Sequence, residues 1–157
     1  MTGYGVQDKR EVFTNPVTAT TIAPVICYES VFGRFITDFT RQGAELICII
    51  TNDGWWRNTS GYRQHLAFAS LRAIENRRWV ARCANTGISC FIDERGKIVE
   101  KTGWWEEAIL AGNVSLNNER TFYIKHGDYI YRYAVIFTVI IMILTFIALP
   151  LRRLREV

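Results

Sequence analysis

TIAPVICYESVFGRFITDFTRQGAELICIIT, Thr21 to Thr51, is the stretch on which the fold turns. Its two ends, Thr21 to Cys27 and Leu46 to Thr51, are short apolar runs rich in β-branched residues and bounded by polar segments, which predicts strands. Between them Phe32, Phe35, Ile36 and Phe39 recur at helical spacing. Ser30 stands where an N-cap is wanted, so a helix is expected from Ser30 to about Arg41.

Working outward, the loop NDGWWRNTSG leads into a second helical pattern from about Tyr62 to Arg77, with Leu66, Phe68, Leu71 and Ile74 expected to be buried unevenly. Beyond it the pattern changes to strands at Trp79 to Ala84, Ser89 to Asp93, Lys97 to Lys101 and Ile109 to Ser115. Turns at Asn85-Thr86-Gly87 and Glu94-Arg95-Gly96 join the first three. Strand, helix, strand, helix, strand and then hairpins predicts an α/β layered sheet with its helices on one face. Residues 1 to 20 show no clear periodicity and read as a lead-in segment.

The chain has 157 residues, 49% of them hydrophobic, with 11 Gly, 3 Pro and 4 Cys, which excludes collagen-like, disordered and disulfide-miniprotein classes. Its formal charge of +4 is unevenly placed: residues 129 to 157 carry Arg132, Arg152, Arg153 and Arg155 against Glu156. The body is therefore almost neutral and has no basic stripe with interleaved aromatics, so nucleic acid is not expected as a partner. Tyr133 to Leu151 contains 19 residues without a formal charge. As a helix this run is about 28 Å long, close to the ~30 Å hydrocarbon core of a bilayer. Tyrosines at one end and arginines at the other suit the two interfaces, so 129–151 is expected to span a membrane, with 152–157 as a basic cytoplasmic tail. Residues 1–128 would then lie on the outer face, yet no apolar leader precedes them. The chain is accordingly expected to be the C-terminal part of a longer or split protein.

Cys27 ends an apolar strand just before the expected helix, where free N–H groups and the positive end of the macrodipole favour a thiolate. Glu29, two residues on, could orient or exchange protons with a substrate group. Of the other cysteines, Cys48 belongs to the core of LICIIT, while Cys83 and Cys90 flank the turn NTGI and could be either bridged or simply packed. His65 and His126 form no metal-ligand spacing, and His65 suits a helix surface or an internal hydrogen bond. The chain lacks a GxSxG motif, a phosphate loop and a dinucleotide fingerprint, which leaves Cys27 as the nucleophile by elimination and implies no cofactor. The pairs Trp55-Trp56 and Trp104-Trp105 could touch lipid, line an apolar channel or lid the core.

Five strings in order, ICYES at Ile26 to Ser30, TNDGWW at Thr51 to Trp56, QHLAFASLRAIENRR at Gln64 to Arg78, RCANTGIS at Arg82 to Ser89 and DERGKIVEKT at Asp93 to Thr102, resemble the carbon–nitrogen hydrolase (nitrilase) superfamily. Within it the CYE triplet, the NDGWW loop, the QH pair before RAIEN and a terminal membrane helix resemble the membrane branch, the apolipoprotein N-acyltransferases. The resemblance implies an αββα sandwich outside the bacterial inner membrane, on the periplasmic side, carrying a Glu-Lys-Cys triad. It further implies a phospholipid as acyl donor, a cysteine thioester as intermediate, and the N-terminal diacylglyceryl-cysteine of a lipoprotein as acceptor.

By position Cys27 matches the nucleophile, and Tyr28 and Glu29 match the tyrosine and second glutamate beside it. Asn52, Asp53 and Trp55 would shape the substrate pocket, with Arg72 and Glu75 holding the scaffold beneath. The family's general-base glutamate and oxyanion-stabilising lysine lie upstream of ICYE, and residues 1 to 20 resemble neither segment. Lys9 and Glu11 in QDKREVF match the stretch between that lysine and Cys27, and this chain alone is expected to be inactive. Two alternatives stay open: a membrane-anchored nitrilase-type amidase, and a non-catalytic membrane module in which Cys27 is packing.

Overall fold

The computed structural model describes residues 9–155, so the first eight residues of the expected body and the last two of the expected tail lie outside it. It divides into two units, Met1–Lys125 and His126–Val157. In the first, six strands form one sheet in sequential order: β1 (Phe13–Thr14), β2 (Thr21–Ile26), β3 (Leu46–Thr51), β4 (Trp79–Ala84), β5 (Cys90–Ile92) and β6 (Ile98–Lys101). The central β2, β3 and β4 are parallel and the outer pairings are antiparallel. Helices α1 (Gly33–Arg41) and α2 (Ser60–Asn76) provide the two crossovers that parallel neighbours require. The lead-in segment contributes more than expected, because Asn15 accepts from the amides of Val17 and Thr18 and so turns the chain back to pair β1 with β2.

Alternation along the strands sorts their side chains onto two faces. Ala23, Val25, Ile47, Ile49, Val80, Cys90 and Ile92 are buried with Ile36 and Phe39 of α1 and Leu66, Ala69 and Ala73 of α2. The residues between them point the other way, in cross-strand rows Ile26–Ile50–Cys83 and Pro24–Cys48–Ala81–Phe91. There Ile26 and Ile50 are 65% and 63% exposed. The first unit is therefore one mixed sheet with its helices packed on one face.

Several expectations need correction. Residues 109–115 form no strand: Gly112 and Asn113 interrupt the run, which passes close to the ring of Phe91. Ser30 is not the cap of α1, which begins three residues later with Phe32 as its N-cap, and Phe32 is 57% exposed instead of sharing the buried face. In α2 the buried stripe is Tyr62, His65, Leu66, Ala69, Arg72, Ala73 and Asn76, whereas Leu71 and Ile74 are exposed. The apolar pattern misleads here because polar groups with partners occupy the inward positions. The irregular segment after β6 is tied down by Arg78, which is fully buried and donates to the carbonyls of Ala44, Asn76 and Glu119. The short helix α3 (Phe122–His126) follows.

In the second unit α4 (Tyr129–Arg155) runs unbroken past Leu151. Its segment Tyr129–Ala148 is long and apolar enough to cross a membrane. Thr138 and Thr145 donate their hydroxyls to the carbonyls of Ala134 and Ile141 one turn back, which leaves neither hydroxyl proton unpaired in an apolar surround.

Candidate active site

β2 and β3 end side by side, with Ile26 opposite Ile50, so Cys27 and Thr51 emerge together at the carboxyl end of the parallel strands, where open α/β sheets present their ligand sites. Cys27 opens a single 3-10 turn, Cys27–Val31, with φ +51°, a left-handed conformation costing about 1–2 kcal/mol in a non-glycine residue. Local bonds hold it there. The Glu29 carboxylate accepts from the Ile26 amide at 2.7 Å, and Ser30 Oγ donates to the Cys27 carbonyl at 2.8 Å. Arg72 of α2 donates to the Val31 carbonyl at 3.0 Å and to Glu75 at 2.9 Å, tying the turn to the helix beneath.

Behind the turn lies a buried polar network. Asp53, fully buried, opens a second 3-10 turn, Asp53–Trp56, and accepts from Arg82 Nη2 with both oxygens, at 2.9 and 2.7 Å. Its Oδ1 also lies 3.0 Å from His65 Nδ1, and the other ring nitrogen of His65 reaches Ser30 Oγ at 2.9 Å and the Cys27 carbonyl at 3.1 Å. Burial pushes the Asp53 carboxyl up, but hydrogen bonds from His65 and Arg82 and the charge of Arg82 outweigh it, leaving it below the usual carboxylate range. Thr51 Oγ1 sits between the network and the thiol, 3.3 Å from Cys27 Sγ and 3.2 Å from Asp53 Oδ1.

Of the residues expected at the site, Cys27, Tyr28 and Glu29 share the first turn, and Asn52 and Asp53 meet it at the end of β3. Tyr28 is 55% exposed, and its ring packs against His65 and Trp56. Asn52 Oδ1 accepts from the Gly54 amide and from Thr86 Oγ1, fixing the second turn. Trp55 is 81% exposed, whereas its neighbour Trp56 packs on the His65 ring at 5.0 Å. Asp53 is fully buried, and both its oxygens accept from buried partners. Such an arrangement, a thiol on a strained turn with its carbonyl and sulfur each held by a buried donor, suits nucleophilic attack on an acyl carbon.

Residues 3–123 match the profile of the carbon–nitrogen hydrolase family. The chain belongs to the carbon–nitrogen hydrolase family. It is 45% identical over 107 residues to an apolipoprotein N-acyltransferase of Chlorobaculum tepidum, an alignment covering 68% of this chain and 20% of that protein. The chain thus spans about a fifth of the length of the curated relatives it matches. Among solved structures it is similar to a carbon–nitrogen hydrolase from Helicobacter pylori, with TM-score 0.56 at 15% identity over 66% of this chain and 43% of that one. A nitrilase-superfamily member from Saccharomyces cerevisiae gives TM-score 0.53 at 23% identity, over 66% of this chain and 40% of that one. Both likenesses support the fold.

In this carbon–nitrogen hydrolase chain the other cysteines are elsewhere. All four are free; Cys90 pairs in register with Arg82, so Cys83 and Cys90 point to opposite faces and cannot bridge. Burial pushes the Cys90 thiol up to about 11. Cys48 and Cys83 line, with Ile50, Ala81, Phe91 and Leu110, an apolar cleft of about 410 Å³ on the uncovered sheet face. Sequence reasoning missed Thr51, Arg82 and Trp56 as parts of the site. The available signal was periodicity: Arg82 falls two residues after buried Val80, and His65 falls on the buried stripe of α2.

Proposed function

We propose that Cys27 is the acyl-carrying nucleophile of an apolipoprotein N-acyltransferase. The thiolate attacks the carbonyl carbon of a phospholipid acyl ester, and the ester oxygen leaves, taking up a proton, as the lysophospholipid hydroxyl. The α-amino group of a lipoprotein's N-terminal diacylglyceryl-cysteine then attacks the thioester, loses a proton, forms the amide and returns the thiolate. The observation that carries this reading is the left-handed turn that presents Cys27 with its backbone held by Glu29, Ser30 and His65.

Tyr28 on the first turn, and Asn52 and Trp55 at the second, are assigned to substrate contact. Glu29 orients the nucleophile through the Ile26 amide, and Asp53 supports the site from behind. Segment Tyr129–Ala148 anchors the protein in the bacterial inner membrane, with the body periplasmic and the arginine-rich end cytoplasmic, as the Lys/Arg bias favours. The resemblance assigns the general-base glutamate and the oxyanion lysine to a segment upstream of Cys27. Residues 1–157 alone would forgo effects worth about 10² or more in rate each.

Transfer of a labelled acyl chain from phospholipid to a diacylglyceryl-cysteine peptide, in membranes holding residues 1–157 joined to the upstream segment of a relative, tests the reading. Cys27→Ala is expected to abolish it. Undiminished transfer by that variant would remove Cys27 from the mechanism, and hydrolysis of small amides in place of transfer would favour an anchored amidase.

A further inference from the structure

Thr51 carries one hydroxyl proton and faces two acceptors at nearly equal distance, Cys27 Sγ at 3.3 Å and Asp53 Oδ1 at 3.2 Å. The residue is 5% exposed, and its carbonyl is held by the Asn85 amide at 2.9 Å, so the side chain is fixed in place and shielded from water. We propose that the Thr51 hydroxyl is a catalytic hydrogen-bond donor that turns toward Cys27 Sγ when the sulfur is a thiolate and back to Asp53 when it is protonated or acylated. The assignment rests on the reading of Cys27 as the nucleophile.

The hydroxyl acts by differential binding. A thiolate accepts a hydrogen bond strongly, while a thiol or thioester sulfur accepts weakly. Asp53, ionised and already held by Arg82 and His65, offers the hydroxyl a resting partner whenever the sulfur has no charge. The donor therefore favours the state in which the sulfur attacks the donor ester and the state in which it leaves from the thioester, and binds neither covalent form. No proton needs to pass along the chain; the hydroxyl only rotates. The groups facing Cys27 from its surroundings are Glu29 on its own turn, bonded to the Ile26 amide, His65 from α2 at its carbonyl, and Asp53 with Arg82 behind Thr51.

Alkylation of Cys27 by iodoacetamide, read on the Cys27 peptide by mass spectrometry across a pH series in the detergent-solubilised chain, tests this without any lipid substrate. Thr51→Val is expected to slow Cys27 by about tenfold near neutral pH and to converge with the parent rate at high pH. Thr51→Ser, which keeps the hydroxyl, should stay within about twofold of the parent. Equal rates for Thr51→Val and parent at every pH, or a slowing by one constant factor at all pH values, would overturn the proposal. Cys90, 1% exposed, reports folding. If Thr51→Val exposes Cys90, Thr51→Ser decides alone, and a tenfold loss in it overturns the assignment. A Thr51 effect without Cys27-dependent acyl transfer would sink the proposed function and leave the hydrogen bond standing. Cys27-dependent transfer with an unchanged Thr51→Val rate would do the reverse.

Discussion

Asp53 shows how much a single residue can hold. Its carboxylate is the common acceptor for Arg82, His65 and Thr51, all buried, so removing its charge leaves Arg82 as an uncompensated buried cation. Asp53→Asn is expected to cost about 3–5 kcal/mol in equilibrium unfolding of the chain in detergent. Because its folded-state carboxyl lies below the unfolded value, its contribution is complete above about pH 4 and is lost as pH falls through the depressed folded value. Unfolding free energy should therefore drop on the acid side in the parent and drop less in Asp53→Asn; parallel curves would remove Asp53 as their cause. From sequence, an Asp beside Asn and Gly suggests an exposed loop, and nothing local signals that Arg82, 29 residues on, will neutralise it.

At the scale of elements, the strands and helices that enclose the core were legible because their patterns are strongly periodic: β2, α1 and β3 come within a few residues of the expected ranges. The site was legible where residues adjoin in sequence, at Cys27 to Glu29, and obscure where the fold joins turns from β2, β3, α2 and β4. The turn after β4 shows the dependence. A Cβ at Gly87 would collide with the Asp53 carboxylate, so the backbone of this turn closes the network directly. Gly87→Ala is expected to cost about 1–3 kcal/mol through overpacking and to slow Cys27 alkylation by displacing Asp53 from Thr51. A variant with parent stability and parent Cys27 reactivity would show that the turn plays no part in holding Asp53.

Across the whole molecule the sheet has two unlike sides, and two adjacent residues test this. Ile49 is 1% exposed beneath the helices, so Ile49→Ala should cost about 2–5 kcal/mol in the unfolding of the 157-residue chain. Ile50, 63% exposed on the opposite face, should cost under about 1 kcal/mol in the same experiment. Equal costs would contradict the one-sided core. That one-sidedness leaves the carboxyl ends of β2 and β3, and hence Cys27, at the rim of the covered layer, while Tyr129–Ala148 of α4 is long and apolar enough to cross a membrane. Whether Cys27 carries the acyl group is read most directly by peptide mass spectrometry of residues 1–157 joined to the upstream segment of a relative, embedded in membranes and incubated with phospholipid. A hydroxylamine-sensitive acyl group is expected on the Cys27 peptide and should disappear when a diacylglyceryl-cysteine peptide is added. Transfer to that peptide with Cys27 unmodified throughout, or with the acyl group on another residue, would contradict it.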